Sequence, residues 1–403
     1  EFALFKYRVH VEVEYLLALC RLEGFDGLAS FLTESDDHLS SSSSSCSIST
    51  ILTNLYENFS QEDMREIKKI ESTTNHDVKA VEYFIKAKLT QHLGESIANK
   101  YGEFVHFGLT SQDINNTAYP MMLRDGLNAV YLPKFSQLFT KLSEKAKPLL
   151  NLVMLARTHG QAATPTSMGK ELMVFVERLH RQIYHPSSPL ANLNEVIGAK
   201  FGGATGGFNA HYVSYPNIDW IQFANTFIRD ALKLRREQHT TQISHYDSLA
   251  CVFDTMRRVN IILIDLCRDI WQYISMGYFR QRIIAGEVGS STMPHKVNPI
   301  DFEGAEGNLG MANAIFDHLS TKLPISRLQR DLSDSTVLRN IGVPIAYSVL
   351  AFTYILRGLS KITVNKEKIQ QDLKENWVVV AEGIQTILRK EQIQGAYEIN
   401  KRL

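Results

Sequence analysis

Residues 246–284 read as one apolar rod. The run holds no proline and a single glycine, Gly277. Leu249, Val252, Phe253, Met256, Val259, Leu263, Leu266, Ile270 and Ile274 recur three or four positions apart, the spacing of one helix face. A continuous helix over this run spans about 55–60 Å. Ile261-Ile262-Leu263-Ile264 is apolar on every side, and a helix apolar all round must be buried all round. One small domain rarely surrounds so long a rod, so the run predicts a bundle shared between subunits. The competing reading is a coiled coil, but heptads with charged flanks are not sustained. Strand signals elsewhere are short and scattered. The expected fold class is all-α with long central helices.

The other segments agree. Residues 3–23 carry apolar positions at helical spacing. Ser60, with Asp63 three residues on, reads as the N-cap of a second helix, and a third starts near Asp77. A long stretch from about Asn115 to Pro148 places Pro120 and Pro133 at bends or helix starts. Pro186 and Pro189 break the pattern again, and the serine run Ser40–Ser47 reads as a mobile loop.

Length and charge narrow the function classes. The 403 residues allow two or three domains. Lys and Arg together number 43, as do Asp and Glu, so no global basic field points to nucleic acid and any anion site must be built locally. Cys20, Cys46, Cys251 and Cys267 form no CxxC pair and no metal spacing, and read as reduced thiols of a cytoplasmic protein. No uninterrupted apolar run approaches the length of about 20 residues that a membrane span needs. The chain opens on Glu1-Phe2-Ala3 without an initiator Met, which reads as part of a longer protein.

Four polar clusters interrupt the helices. In Thr73–Tyr83, Asn75, His76 and Asp77 sit at a helix start, where Asn75 or Asp77 can serve as a cap or the N-terminus can receive an anion. In His106–Asn116, Thr110 and Ser111 precede Asp113 with the same two readings. In Ala156–Glu171, His159 stands beside Gly160 in a loop, either as an exposed residue or as a general acid or base. The fourth, GSSTMPHKVNP at 289–299, packs hydroxyls, a cation and an amide between two helical runs. Lys296 and Asn298 follow Ser290 and precede a helix start near Ile300, whose backbone N–H groups can face a carboxylate. Two further stretches are weaker. FGGATGGFN at 201–209 is glycine-rich but lacks the GK[ST] of a phosphate loop. Ser326–Asn340 places Arg327, Arg330 and Arg339 near Ser333 and Ser335, either as a surface patch or as a phosphate grip.

Taken in order, TTNHDVKAVEYF, TSQDINN, RTHGQ, TTQI, AGEVGSSTMPHKVNPIDFE, EGNLG and QRDLSDSTVLRN resemble the adenylosuccinate lyase family of the fumarase/aspartase superfamily over nearly the whole chain. The resemblance implies three helical domains, at 1–109, 110–345 and 346–403, the last cut short of the family's usual end. It implies a homotetramer whose active sites are shared between subunits. It also implies β-elimination of fumarate from adenylosuccinate to give AMP, and from the succinyl-aminoimidazole carboxamide ribotide to give its carboxamide. No metal or organic cofactor, nucleic acid or membrane is expected, and the small-molecule partner is a nucleotide. By the same resemblance, Ser290 is the base and His159 the acid, with Lys296 and Glu303 completing the catalytic set. Thr110, Ser111, Lys296 and Asn298 face the succinyl carboxylates. Arg330, Ser335 and Arg339 hold the nucleotide end. Asn75, His76, Asp77, Gln242, Ser291 and Met293 line the pocket. Two rivals remain open from sequence: a scaffold that kept the fold without the chemistry, and another fumarate-releasing lyase.

Overall fold

The computed structural model describes residues 1–33, 47–282, 293 and 295–401. Ser290 and Ser291 of the GSS loop, and Ser40–Cys46 of the serine run, lie outside them. The described chain is helical, with three two-stranded ladders. It forms two compact units. The first comprises Glu1–Ala129, Asn192–Phe253 and His318–Asn340; the second comprises Val130–Ala191, Asp254–Asp317 and Ile341–Leu403.

In the first unit the expected opening helix spans Phe2–Cys20 and packs on the helix Ser111–Gly126. Tyr15 ties this opening helix to the segment ahead of Ser111, its hydroxyl donating to the Phe107 carbonyl at 2.8 Å. Ser60 caps the helix Gln61–Thr74 as the sequence reading expects. Its Oγ accepts from Asp63 N at 3.2 Å, and the Asp63 carboxylate accepts from Ser60 N at 2.9 Å. Ser47 is not loop but the N-cap of the helix Ile48–Glu57. Pro133 sits in the first turn of the helix Leu132–Ala146, as proline should. Pro120, by contrast, is buried inside Ser111–Gly126 rather than at a bend or start. The helix packs on Phe2–Cys20 as a whole, and that packing offsets a helix-breaking cost of about 3 kcal/mol.

The long rod is real but shorter than the sequence reading gives. The helix covers Asp247–Ser275, 29 residues, or roughly 43 Å. The single glycine ends it. Gly277 takes the left-handed conformation, φ 73°. Gly277 N then donates to Ile274 O at 3.0 Å and Tyr278 N to Tyr273 O at 2.9 Å, the paired bonds of a Schellman stop. The Tyr273 and Tyr278 rings stack across it at 6.1 Å. The chain continues as a strand, Phe279–Gln281, paired antiparallel with Ile362–Val364. A Cβ at position 277 meets nothing closer than Lys368 Cγ at 3.7 Å, so only the backbone conformation penalises a side chain there. Gly277→Ala is expected to destabilise the protein by about 1 kcal/mol, with Gly277→Asn costing less, read as shifts in the thermal unfolding midpoint.

Burial around the rod is also uneven. Ile262 and Leu263 are buried, whereas Ile261 is 49% exposed in the single chain.

The second unit packs the helices Leu132–Ala146, Met168–Ile183 and Gly342–Lys361 together. Phe352 meets Tyr131 and Phe135 with ring centroids 5.2 and 5.9 Å apart. Among the described residues the segment Ser333–Lys361 is long and apolar enough to cross a membrane by length and composition alone, although no uninterrupted apolar run was evident in the sequence. It is two helices, Ser333–Leu338 and Gly342–Lys361, separated by a polar break at Arg339-Asn340. Within the second unit, buried Asp301 pairs with Arg357 at 2.5 Å and Lys361 at 3.3 Å, and Asn260 donates to Ser348 at 3.0 Å. These polar contacts pack one face of the helix from Gly342 within the second unit.

Candidate active site

The structure gathers nine of the sequence-selected residues in the first unit. Asn75 ends one helix in the left-handed conformation, φ 50°, and His76 caps the next, Asp77–Leu93. The cap is therefore His76, not Asn75 or Asp77: its Nδ1 accepts from Lys79 N at 3.1 Å. That bond leaves Nε2 as the protonated nitrogen of the neutral ring. Asp77 is freed from capping to meet two guanidinium groups, Arg8 at 2.6 Å and Arg339 at 3.7 Å. Burial works to raise the Asp77 pKa, but the Arg8 charge and the Val78 N–H hold it below the ordinary carboxylate range.

A second network joins this one through neighbouring asparagines. Arg8 Nε donates to Asn115 Oδ1 at 2.9 Å. Asn116 accepts from Ser244 N at 2.7 Å and donates to the Tyr246 hydroxyl at 2.8 Å. Tyr246 in turn donates to Asp334 Oδ2 at 2.8 Å. Asp334 lies 3.6 Å from Arg330, whose Nη1 reaches Gln242 Oε1 at 3.4 Å. Gln242 N also donates to Gln329 O at 3.3 Å. Half-buried Ser335 sits on the short helix between Arg330 and Arg339. Thr110 caps Ser111–Gly126, so Ser111 opens a helix N-terminus, where backbone N–H groups favour an anion.

Arg8, Asn115, Asn116, Tyr246 and Asp334 were not singled out from sequence. One signal was available: Arg8 and Glu12 stand four apart on a helix face that is otherwise apolar, and both are buried. Buried charges need partners. Glu12 finds His106 at 2.5 Å.

The remaining candidates belong to the second unit. His159 and Gly160, with φ of 53° and 76°, form the two-residue tip of a hairpin between Val153–Thr158 and Gln161–Ser167. The His159 ring is held out into solvent by this turn. Behind the hairpin lies a cavity of about 680 Å³, lined by Thr158, Glu171, Asp269 and Tyr273 among others. Met293, Lys296 and Asn298 precede the helix Ile300–Lys322, which starts where the sequence places it. Lys296 is exposed, and its N–H donates to Met293 O at 3.0 Å. Glu303 accepts from the Trp271 indole at 3.0 Å within this unit.

One buried histidine of the first unit responds to pH. His211 Nε2 bonds the Tyr15 hydroxyl at 3.0 Å, and burial pushes its pKa down to about 4. The folded state thus refuses a proton that the unfolded chain accepts near pH 6.5. This contribution to stability is complete above that pH and falls by about 1.4 kcal/mol per pH unit down to about 4. His211→Gln, which keeps a donor towards Tyr15, is expected to flatten the fall in urea midpoint between pH 7 and 5. Equal slopes for both proteins contradict this assignment.

Comparison with known proteins bears on this geometry. Residues 19–314 match the lyase family, and residues 326–403 match the adenylosuccinate lyase C-terminal family. The chain is similar in fold to a fumarate lyase from Mesorhizobium, with a TM-score of 0.74, 18% identity and coverage of 100% of this chain and 83% of that one. It is likewise similar to the 3-carboxy-cis,cis-muconate lactonizing enzyme from Pseudomonas putida, with a TM-score of 0.69, 20% identity and coverage of 98% and 82%. The chain is thus a lyase of the fumarase/aspartase superfamily. It is 53% identical to the adenylosuccinate lyase of Dictyostelium discoideum, over 100% of this chain and 83% of that protein. Against the adenylosuccinate lyase of Vibrio cholerae the identity is 45%, over 100% and 84%. The chain belongs to the adenylosuccinate lyase family.

Proposed function

We infer that this chain is an adenylosuccinate lyase, releasing fumarate from adenylosuccinate to give AMP and from the succinyl-aminoimidazole carboxamide ribotide to give the carboxamide ribotide. The observation that carries this reading is the arginine-bearing segment 330–339, joined to Gln242 at one end and to Asp77 at the other. Among fumarate-releasing substrates, a nucleotide is what brings a phosphate for such guanidinium groups to hold.

In this reading Arg330, Ser335 and Arg339 take the nucleotide end. Thr110, Ser111, Lys296 and Asn298 take the succinyl carboxylates, and Asn75, His76, Asp77, Gln242, Ser291 and Met293 line the pocket. Ser290, as alkoxide, removes the proton from the carbon beside a carboxylate. The resulting aci-carboxylate expels the nitrogen, the C–N bond breaks, and His159 delivers a proton to the leaving nitrogen. Lys296 stabilises both the alkoxide and the developing negative charge. Glu303 orients the machinery with Trp271 as its hydrogen-bond donor. The proposal includes the three-part division at residues 110 and 346, a cytoplasmic location and a homotetramer with active sites shared between subunits. Ile261, Trp271, Ile300 and Met311, each more than 40% exposed on the two long helices, support burial against other copies.

The test is an absorbance assay on three substrates. Turnover is expected with adenylosuccinate and not with argininosuccinate or malate. Turnover of malate or argininosuccinate alone makes the chain another fumarate-releasing lyase. Turnover of none makes it a scaffold without the chemistry.

A further inference from the structure

The glycine-rich stretch from Phe201 cradles an anion, but one that the chain itself supplies. Gly202 N and Gly203 N donate to Asp113 Oδ1 at 2.8 and 3.1 Å. Lys200 Nζ reaches the same oxygen at 2.8 Å and the Gly203 carbonyl at 2.6 Å. Asp113 Oδ2 accepts from Thr110 N at 2.8 Å. Both side chains of the pair are fully buried. A buried ion pair rarely stabilises a fold beyond a well-packed apolar pair, so its geometry is the better guide to its use.

That geometry links two sets of proposed substrate contacts. On one side Asp113 holds the turn that presents Thr110 and Ser111. On the other, the glycine loop carries the Ala204 carbonyl, which accepts from Gln242 Nε2 at 3.2 Å. Gly206, φ 80°, lies so close that a Cβ there would stand 2.5 Å from the Thr240 carbonyl. At Gly203 a Cβ would stand 3.3 Å from the Gly108 carbonyl. The loop is thus a spacer fitted between residues 108–113 and residues 240–242.

We propose that Lys200 and Asp113 are positioning residues for the lyase reaction, the ion pair setting the distance between the Thr110–Ser111 turn and the Gln242–Arg330 pair. The proposal rests on the assignment of Thr110 and Ser111 to the substrate carboxylates. Lys200→Met alone strands a buried carboxylate and risks unfolding. Lys200→Met combined with Asp113→Asn removes both charges and leaves an oxygen for Gly202 and Gly203. Gly203→Ala strains the same seam without touching a charge.

The experiment measures product inhibition in the full chain, together with hydrogen exchange of residues 108–113 and 200–206. In the double variant the inhibition constant for fumarate is expected to rise tenfold or more, with the constant for AMP changing less than threefold. Gly203→Ala should show the same split at about threefold. Both segments should exchange faster together. A merely destabilised protein loses active sites, which lowers kcat and leaves both constants alone. Faster exchange with an unchanged fumarate constant overturns the positioning role, as does kcat/KM within threefold of the unmodified protein. An unmodified chain inactive on adenylosuccinate overturns the function reading instead.

Discussion

Ser290→Ala and His159→Ala are each expected to lower turnover of adenylosuccinate by roughly a hundredfold or more, with the substrate still bound. The argument is chemical. Both groups are assigned to proton transfer, and neither to charge recognition, which falls to Arg330, Arg339, Lys296 and the helix start at Ser111. Removing a proton-transfer group raises the barrier of the chemical step by a few kcal/mol and leaves ground-state binding nearly intact. His159 at the exposed tip of a two-residue hairpin makes this clean to test, because its replacement by Ala empties no core site. The measurement is single-turnover kinetics alongside equilibrium binding of substrate. Turnover within threefold of the unmodified protein in either variant removes that residue from the mechanism.

Mixing the two inactive variants should restore activity. If His159 and Ser290 of one active site come from different chains, each variant carries the group the other lacks. After dissociation and random reassociation, each site draws each residue from either variant with equal chance. About a quarter of sites then hold both intact groups, by the symmetry of a closed homo-oligomer. Activity is expected to rise from that of the parents towards a quarter of the unmodified level. Apolar side chains left on the surface of the long helices, Ile261 and Met311 among them, give those copies something to bury. Reassociated oligomers of the correct size that stay as inactive as their parents mean that one chain supplies both residues.

Local chemistry made much of this protein legible in its sequence. Ser60 and Asp63 announce a capping box because the two groups satisfy each other's backbone N–H within one turn. The apolar repeat from Leu249 announces a long helix but not its end: the expected run continues past Gly277, where the left-handed conformation stops the helix at Ser275. The order of the polar motifs was enough to point to the lyase family.

What tertiary structure alone decided involves partners far apart in the chain. Asp77 could have capped its helix; Arg8, 69 positions away, claims it instead, and His76 takes the cap. Asp113 reads as an ordinary residue of a helix's first turn until Lys200 and two glycine N–H groups, nearly 90 positions on, converge on its carboxylate. The glycine stretch could be dismissed as a phosphate loop from its missing lysine, but its actual ligand was invisible. A capping box such as Ser60–Asp63 is settled within a single turn, so residue type and spacing suffice to reveal it. Buried ion pairs are settled by which elements meet, and the cost of leaving a charge unpaired fixes the partner only once the chain has folded.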